Sequence, residues 1–302
     1  MVSPETVGGP KDKLILVVGS TGDLGGLIAR RLLSKGERVR VLVRSQSSFQ
    51  HLTEAGAQAV FGDLKDRSSL DPACKGVDVL ITTATSAKRG GADTVDAVDL
   101  KGNRNLIDAA KFAGVKQFIF VSANIAFPDS PIPLMAAKAA TEGYLRGSGI
   151  PYSIVAPDAF MQVWIAMVVG LPAVAGKPVM FVGGGNRRHS FISDADVANF
   201  IAASIENEKA LCKKVVIGGP EALSFMDAVR VFERALNRKI AVQSVAAGQP
   251  IPGFPEAMTQ IIGGFDMYDS VVDMNETSKT FGVRLTSLED FAKGFVASVL
   301  SH

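Results

Sequence analysis

Residues Lys13–Gly26 read K-L-I-L-V-V-G-S-T-G-D-L-G-G, and few architectures accept such a run. Leu14–Val18 is unbroken, apolar and rich in β-branched residues. A strand of that composition has to be covered on both faces, as happens in a parallel sheet flanked by helices. Gly19, Gly22 and Gly25 follow, and Leu24, Leu27, Ile28, Arg31 and Leu32 then fall at helical spacing. The stretch predicts a strand, a glycine turn and a helix in direct succession.

Each glycine has its own reason. Gly19 lets the chain turn sharply off the strand, Gly22 leaves room for a pyrophosphate against the backbone, and Gly25 lets the helix pack close to the strand. The first amides of a helix have no internal partner and sit at its positive end, so such a turn attracts phosphate. Strand, turn and helix around the glycines point to a dinucleotide, held by Gly19, Ser20, Thr21, Gly22, Asp23, Leu24 and Gly25. The next strand, Arg38–Val43, ends at Arg44-Ser45-Gln46 with no carboxylate. An acid there would bond a ribose 2′-hydroxyl; an arginine suits a 2′-phosphate, so NADPH is expected ahead of NADH. The competing reading of Arg44 is a solvated strand-end cation.

Bulk properties narrow the class. The chain has 302 residues, 47% of them hydrophobic and 21% charged, with a formal net charge of +2. That is a globular composition with a large core. It carries no basic run of the kind that grips nucleic acid. Two cysteines, Cys74 and Cys212, form no metal-ligand spacing and no disulfide framework, which makes a reducing, cytoplasmic location the default. Residues 1–12 are polar and read as a loose leader without a signal core. The most apolar segment, Phe160–Ala175, is interrupted by Gln162 and Pro172 and is too short to span a bilayer comfortably, so no membrane partner is expected.

The motif G-S-T-G-D-L-G resembles the G-x-x-G-x-x-G fingerprint of extended and atypical short-chain dehydrogenases/reductases, and the chain is most similar to their NmrA-like group. That group includes NADPH-dependent quinone and dye reductases, phenylpropanoid reductases and cofactor-sensing regulators. The resemblance extends along most of the chain. After a strand over Ala57–Phe61, Gly62-Asp63-Leu64 matches a G-D-L/F element whose acid approaches the adenine amine, which implies a cofactor role for Asp63 and Leu64. A turn or N-cap role for Asp63 before a helix at Asp66–Lys75 is equally open. The strand Val77–Thr82 closes on Thr83, Ala84 and Thr85, small residues that let a cofactor lie across the sheet edge.

A helix over Thr94–Ala113 and a strand over Phe118–Val121 lead to Ser122-Ala123-Asn124. The resemblance places Ser122 beside the nicotinamide and Asn124 toward substrate; the bland alternative is a small strand-end serine. On the helix Pro133–Gly147, Lys138 matches the family's active-site lysine, the other reading being an exposed helix lysine. The tyrosine of the usual Y-x-x-x-K pair is absent: Leu134 stands in its place, and Tyr144, Tyr152 and Tyr268 do not fit the spacing. The strand Pro151–Ala156 runs into Pro157-Asp158-Ala159-Phe160-Met161, similar to an R-P-x-x-F-M element with Ala156 replacing the arginine. This implies cofactor contact for Ala156 and Pro157 and substrate contact for Phe160 and Met161.

Farther on, R-R-H-S-F-I-S-D-A-D-V-A resembles a strand-to-helix element of the family in which Asp196 supports the fold, and His189 reads as a packing or surface residue and not as a catalyst. A strand at Lys214–Gly218, an amphipathic helix at Ser224–Leu236, a strand at Lys239–Val245 and a last helix capped by T-S-L-E-D-F complete the pattern. The expected fold is an α/β Rossmann sheet, parallel and doubly wound, over residues 13–157, with 158–302 completing the sheet and forming a smaller substrate lobe. The function that follows is an NADPH-dependent reductase of a small conjugated carbonyl such as a quinone, enone or dye. Two other classes stand beside it. One is a non-catalytic cofactor sensor that binds a protein; the other is a sugar-nucleotide epimerase, disfavoured by the missing tyrosine. A homodimer is left open.

Overall fold

The computed structural model describes residues 13–87 and 89–301; the leader expected over 1–12 lies outside the described residues. The first element, β1 (Leu14–Val18), is buried at every position. It pairs in parallel with β2 (Arg38–Val43) and β4 (Val79–Thr82). Beyond β2 lies β3 (Gln58–Phe61), and beyond β4 lies β5 (Gln117–Val121), which pairs in parallel with β6 (Tyr152–Pro157). With β8 (Lys213–Ile217) at the far edge, the strand order is β3-β2-β1-β4-β5-β6-β8. The chain first builds outward to one side of β1 and then to the other. The crevice at the carboxyl ends of β1 and β4 is therefore the switch point where such sheets bind ligands.

The helices on this sheet are α1 (Asp23–Ser34), α2 (Gln50–Glu54), α3 (Arg67–Cys74), α4 (Asn103–Phe112) and α5 (Pro133–Gly147). The helix expected over Thr94–Ala113 forms as an unbroken run over Val95–Phe112, but its first part, Val95–Gly102, winds as a wide π-helix before α4 begins. The cause is local. Asn103 turns its side-chain amide back onto the carbonyls of Val98 and Asp99, at 3.2 and 3.3 Å, and Thr141 Oγ1 also donates to Asp99 O at 2.9 Å. Side-chain donors inserted into a helical ladder widen it. The α3 cap is Asp66, whose carboxylate accepts from Ser68 N. Asp63 instead accepts from Lys65 N at 2.9 Å in a tight Asx turn.

The chain divides into two compact units, Met1–Ala156 with Ala198–Val215, and Pro157–Val197 with Val216–His302. The second holds a wide-turn segment Met161–Gly170 followed by α6 (Leu171–Val174). It also holds the parallel pair β7 (Val179–Val182) and β9 (Val242–Val245), and α8 (Phe225–Leu236), α9 (Glu256–Gly264), α10 (Asn275–Phe281) and α11 (Leu288–Leu300). Its core is aromatic: Phe181, Phe191, Phe225 and Phe232 are buried together. Ser224 and Asp227 cap α8 reciprocally, and Ser287 caps α11. α7 (Asp194–Ala203) starts in this unit, and Asp196 near its first turn accepts from both Thr286 N (2.8 Å) and Thr286 Oγ1 (3.0 Å), a fold-supporting role. His189 is buried, with Nε2 2.9 Å from Phe265 O and its ring among Phe191, Phe265 and Tyr268. Among the described residues no helix is long and apolar enough to cross a membrane.

Candidate cofactor site

The glycine turn has the geometry its chemistry needs. Gly19 takes φ +85°, and a methyl there would come within 2.6 Å of Thr83 Oγ1. A methyl at Gly25 would lie inside contact distance of Gly19 O and 2.8 Å from Thr83 Oγ1, so glycine is what allows α1 to reach the end of β1. Gly22 differs: a methyl would meet only Gly19 O, at 3.3 Å. Packing therefore opposes a side chain far less at Gly22 than at Gly19 or Gly25. Gly22 N bonds Gly19 O at 3.0 Å, and Gly22 caps α1 with no side-chain acceptor for the first amides. Within the turn Ser20 is fully buried, yet its Oγ has no hydrogen-bond partner among the described residues. Buried hydroxyls are rarely left so. Ser20 Oγ and the uncapped amides together fit a bound pyrophosphate, with Thr21, Asp23 and Leu24 completing the turn.

One cleft runs from this turn along the ends of β1, β2 and β4. Gly19, Thr21, Arg44, Ser47, Asp63, Leu64, Ala84, Thr85, Arg89 and Asp93 all line it. Thr83 N is fixed to Val18 O at 3.0 Å, and Leu64 is held by Asn105, whose amide donates to its carbonyl at 2.9 Å. Arg44 reaches Asp93 at 2.7 Å rather than projecting into solvent. Lys65 and Arg89 converge on the same carboxylate. Hydrogen bonds from Lys65, then from Arg44 and Arg89, hold the Asp93 carboxyl well below the usual carboxylate range, and Asp93 in turn raises Lys65. Arg44, Asp63, Leu64, Ala84 and Thr85 are thus brought to one wall by the fold, while Lys65, Arg89 and Asp93 escaped sequence reasoning.

A second polar group lies behind β5. Lys138 Nζ donates to Val121 O at 2.9 Å and sits 5.4 Å from the centre of the Phe120 ring. Burial lowers the lysine's pKa, opposed by the charges of Asp99 and Glu142. Ser122 is buried and donates to Glu142 Oε1 at 2.5 Å. Glu142 also receives Lys214 and Arg146, each at 2.9 Å. The hydroxyl proton of Ser122 is therefore committed to Glu142, which leaves its lone pairs, not its proton, for anything else. Asn124 is half-buried after β5, and Ala156 is fully buried on β6 beside Pro157. In the second unit Phe160 is half-buried and pairs with Ile192, while Met161 is buried. Glu142, Lys214 and Asp99 escaped sequence reasoning because each reads as an ordinary helix or strand charge. Among the described residues no group of three or more His, Cys, Asp or Glu side chains could share a metal ion.

Comparison with known proteins agrees with this geometry at the level of fold and family. The chain is 30% identical to the photosystem II assembly factor Ycf39 of Trieres chinensis over 92% of this chain and 84% of that protein. It is 28% identical to the NAD(P)H azoreductase of Xenophilus azovorans over 87% of this chain and 85% of that protein. Among solved structures, the NADPH-dependent quinone oxidoreductase of Escherichia coli, complexed with NADPH, superposes with a TM-score of 0.78 at 22% identity, covering 95% of this chain and 100% of that one. The sequence model of the NmrA-like family matches residues 11–293, and the chain belongs to that family.

Proposed function

We propose that the protein is an NADPH-dependent reductase that passes hydride to a small conjugated acceptor, a quinone, enone or dye. The observation that carries this reading is the cleft at the switch point. It runs from Gly19 and Thr21, beside an uncapped helix start and the orphaned buried hydroxyl of Ser20, to a cluster of cations at the end of β2. The helix start and the hydroxyl suit a pyrophosphate and the cations a 2′-phosphate. Relatives support it: an azoreductase and a quinone oxidoreductase carry NAD(P)H or NADPH in their names.

The reduced nicotinamide supplies the hydride; the chain supplies position and charge. Gly19–Gly25 and Ser20 hold the phosphates. Lys138, anchored to Val121 O, is assigned the role of the family's lysine, holding the nicotinamide ribose. Leu134 supplies no proton, and the proton of Ser122 is tied to Glu142. An acceptor whose developing oxyanion is delocalised, and which can draw a proton from water, matches a site of that kind. An unactivated ketone does not. Phe160 and Met161 head the segment that we assign to the substrate lobe.

The test is oxidation of NADPH by the purified chain against a panel of quinones, enones, azo dyes and simple ketones. Turnover with the first three and none with the ketones is expected; ketone turnover as fast as quinone turnover would overturn the assignment. The similarity to an assembly factor favours one second reading, a protein that binds NADPH and docks a partner without catalysis. Tight NADPH binding with silence across the whole panel would select it.

A further inference from the structure

We propose that Asp93 is an internal counter-anion for the cofactor's 2′-phosphate: it occupies the cation cluster at the end of β2 and must be displaced by the phosphate, and so sets the preference between NADPH and NADH. The inference rests on the cofactor reading above and adds to it a residue, a competition and a direction.

Three cations meet one carboxylate. Lys65 Nζ contacts Asp93 Oδ1, while Arg44 at 2.7 Å and Arg89 at 3.4 Å share Oδ2. Lys65 also lies 3.7 Å from Asp63. Counting Arg44, Lys65 and Arg89 against Asp93 and Asp63 leaves the cluster with one surplus positive charge. The side chain of Asp93 is 10% exposed, whereas those of Arg44, Lys65 and Arg89 are 35%, 31% and 31% exposed. Arg44, Arg89 and Asp93 all line the cleft, and Asp93 is the least exposed member of the cluster, with Lys65 reaching it from beside Asp63. Such a cluster without an anion would repel itself, so some anion belongs there whether or not a cofactor is bound.

A 2′-phosphate carries nearly two negative charges at neutral pH and three acceptor oxygens. It is a stronger partner for the same donors than one carboxylate, and it is repelled by that carboxylate at close range. Phosphate and Asp93 therefore compete for Arg44, Lys65 and Arg89. NADH presents only a hydroxyl, which cannot replace a carboxylate among three cations, so NADH binds with Asp93 in place. The cost of moving Asp93 falls on NADPH alone. The apparent affinity for NADPH is lowered by the fraction of molecules in which Asp93 holds the cluster. The result runs against the usual logic of such sites, because removing a cleft residue should tighten binding.

The experiment is calorimetric titration of the full chain, parent and Asp93→Asn, with NADPH, NADH and adenosine 2′-monophosphate at low ionic strength. Asp93→Asn should bind NADPH and adenosine 2′-monophosphate at least tenfold more tightly and leave NADH within twofold. Asp93→Glu, which keeps the charge, should resemble the parent and shows whether the segment tolerates substitution. If Asp93→Asn leaves NADPH unchanged or weakens it, Asp93 organises the cations instead of competing for them, and the proposal fails while the cofactor reading stands. A parent chain that binds neither dinucleotide would remove both.

Discussion

Gly25→Ala is the substitution for which fold and site make the sharpest joint forecast. In the middle of a helix, replacing glycine by alanine stabilises by roughly 0.8–1 kcal/mol, because less backbone entropy is lost. Gly143 on α5 measures that term alone: an added methyl there meets nothing within 4 Å. At Gly25 the methyl would lie inside contact distance of Gly19 O and 2.8 Å from Thr83 Oγ1. One of those partners is backbone, so α1 or the turn has to move. Overpacking of this kind costs about 1–3 kcal/mol, and more where backbone must shift. Because one partner is a backbone oxygen, the cost falls at the top of that range, and with the helix term subtracted the net loss is about 2 kcal/mol, or roughly 4–8 °C in Tm. Gly143→Ala should instead gain roughly 2 °C. Scanning calorimetry of the two variants without cofactor reads stability, and titration with NADPH reads the turn. Gly25→Ala should also bind NADPH at least tenfold more weakly, since the same shift displaces the amides of the turn. A Gly25→Ala protein as stable as Gly143→Ala would refute the packing argument.

Gly22→Ala should separate binding from folding: it costs about 0.5–1 kcal/mol as a poorer N-cap, yet cofactor titration should show a loss of at least tenfold. Arg44→Ala should weaken NADPH about tenfold or more, from the loss of a charge-assisted contact of about 1.5–3 kcal/mol, with NADH nearly unchanged. Burial lowers the Lys138 pKa, so the folded state disfavours its charged form and regains stability as pH rises. Lys138→Met should accordingly keep or raise Tm at neutral pH while turnover with quinones falls. Burial pushes the Cys74 thiol up to about 12, whereas Cys212 is exposed. A thiol reagent at pH 8 should label Cys212 alone, as mass spectrometry of the intact protein would show.

The glycine turn was readable because its requirements are local: strand, φ, close approach and helix all fall within Lys13–Gly26. Arg44 was readable because a strand end fixes where its side chain starts. What receives that side chain was not. Asp93 is remote in sequence and sits in a glycine-containing loop, and nothing in R-G-G-A-D-T distinguishes it from a solvated loop acid. Glu142 was hidden for the same reason. On α5 it looks like the outer face of a helix, and only the return of Lys214 on an edge strand makes it a buried anion. Lys138 was found by resemblance to a family and not from its own surroundings. Helices α9 and α10 were missed because their sequences are short and weakly patterned. Ile262 is nevertheless buried, so packing and not propensity holds α9.

The chain's route through its two units bears on how it can be made. The first unit is not finished at Ala156; it needs Ala198–Val215 as well. Gln117 donates to Ser204 O at 2.8 Å and accepts from Glu206 N at 2.8 Å, and Glu142 depends on Lys214. A ribosome that has released Ala156 has therefore produced a sheet whose buried amide has only Ser153, and whose buried carboxylate has only Ser122 and Arg146, of their final partners. The remaining partners emerge roughly 60 residues later, several seconds on at about 5–20 residues per second. During that interval the edge of β6 stands uncovered beside a long apolar segment. Slowing translation across 157–215 should leave more of the nascent chain to chaperones. A fragment ending at Ala156 should aggregate, whereas removing residues after Val215 should leave the buried pairs of the first unit intact.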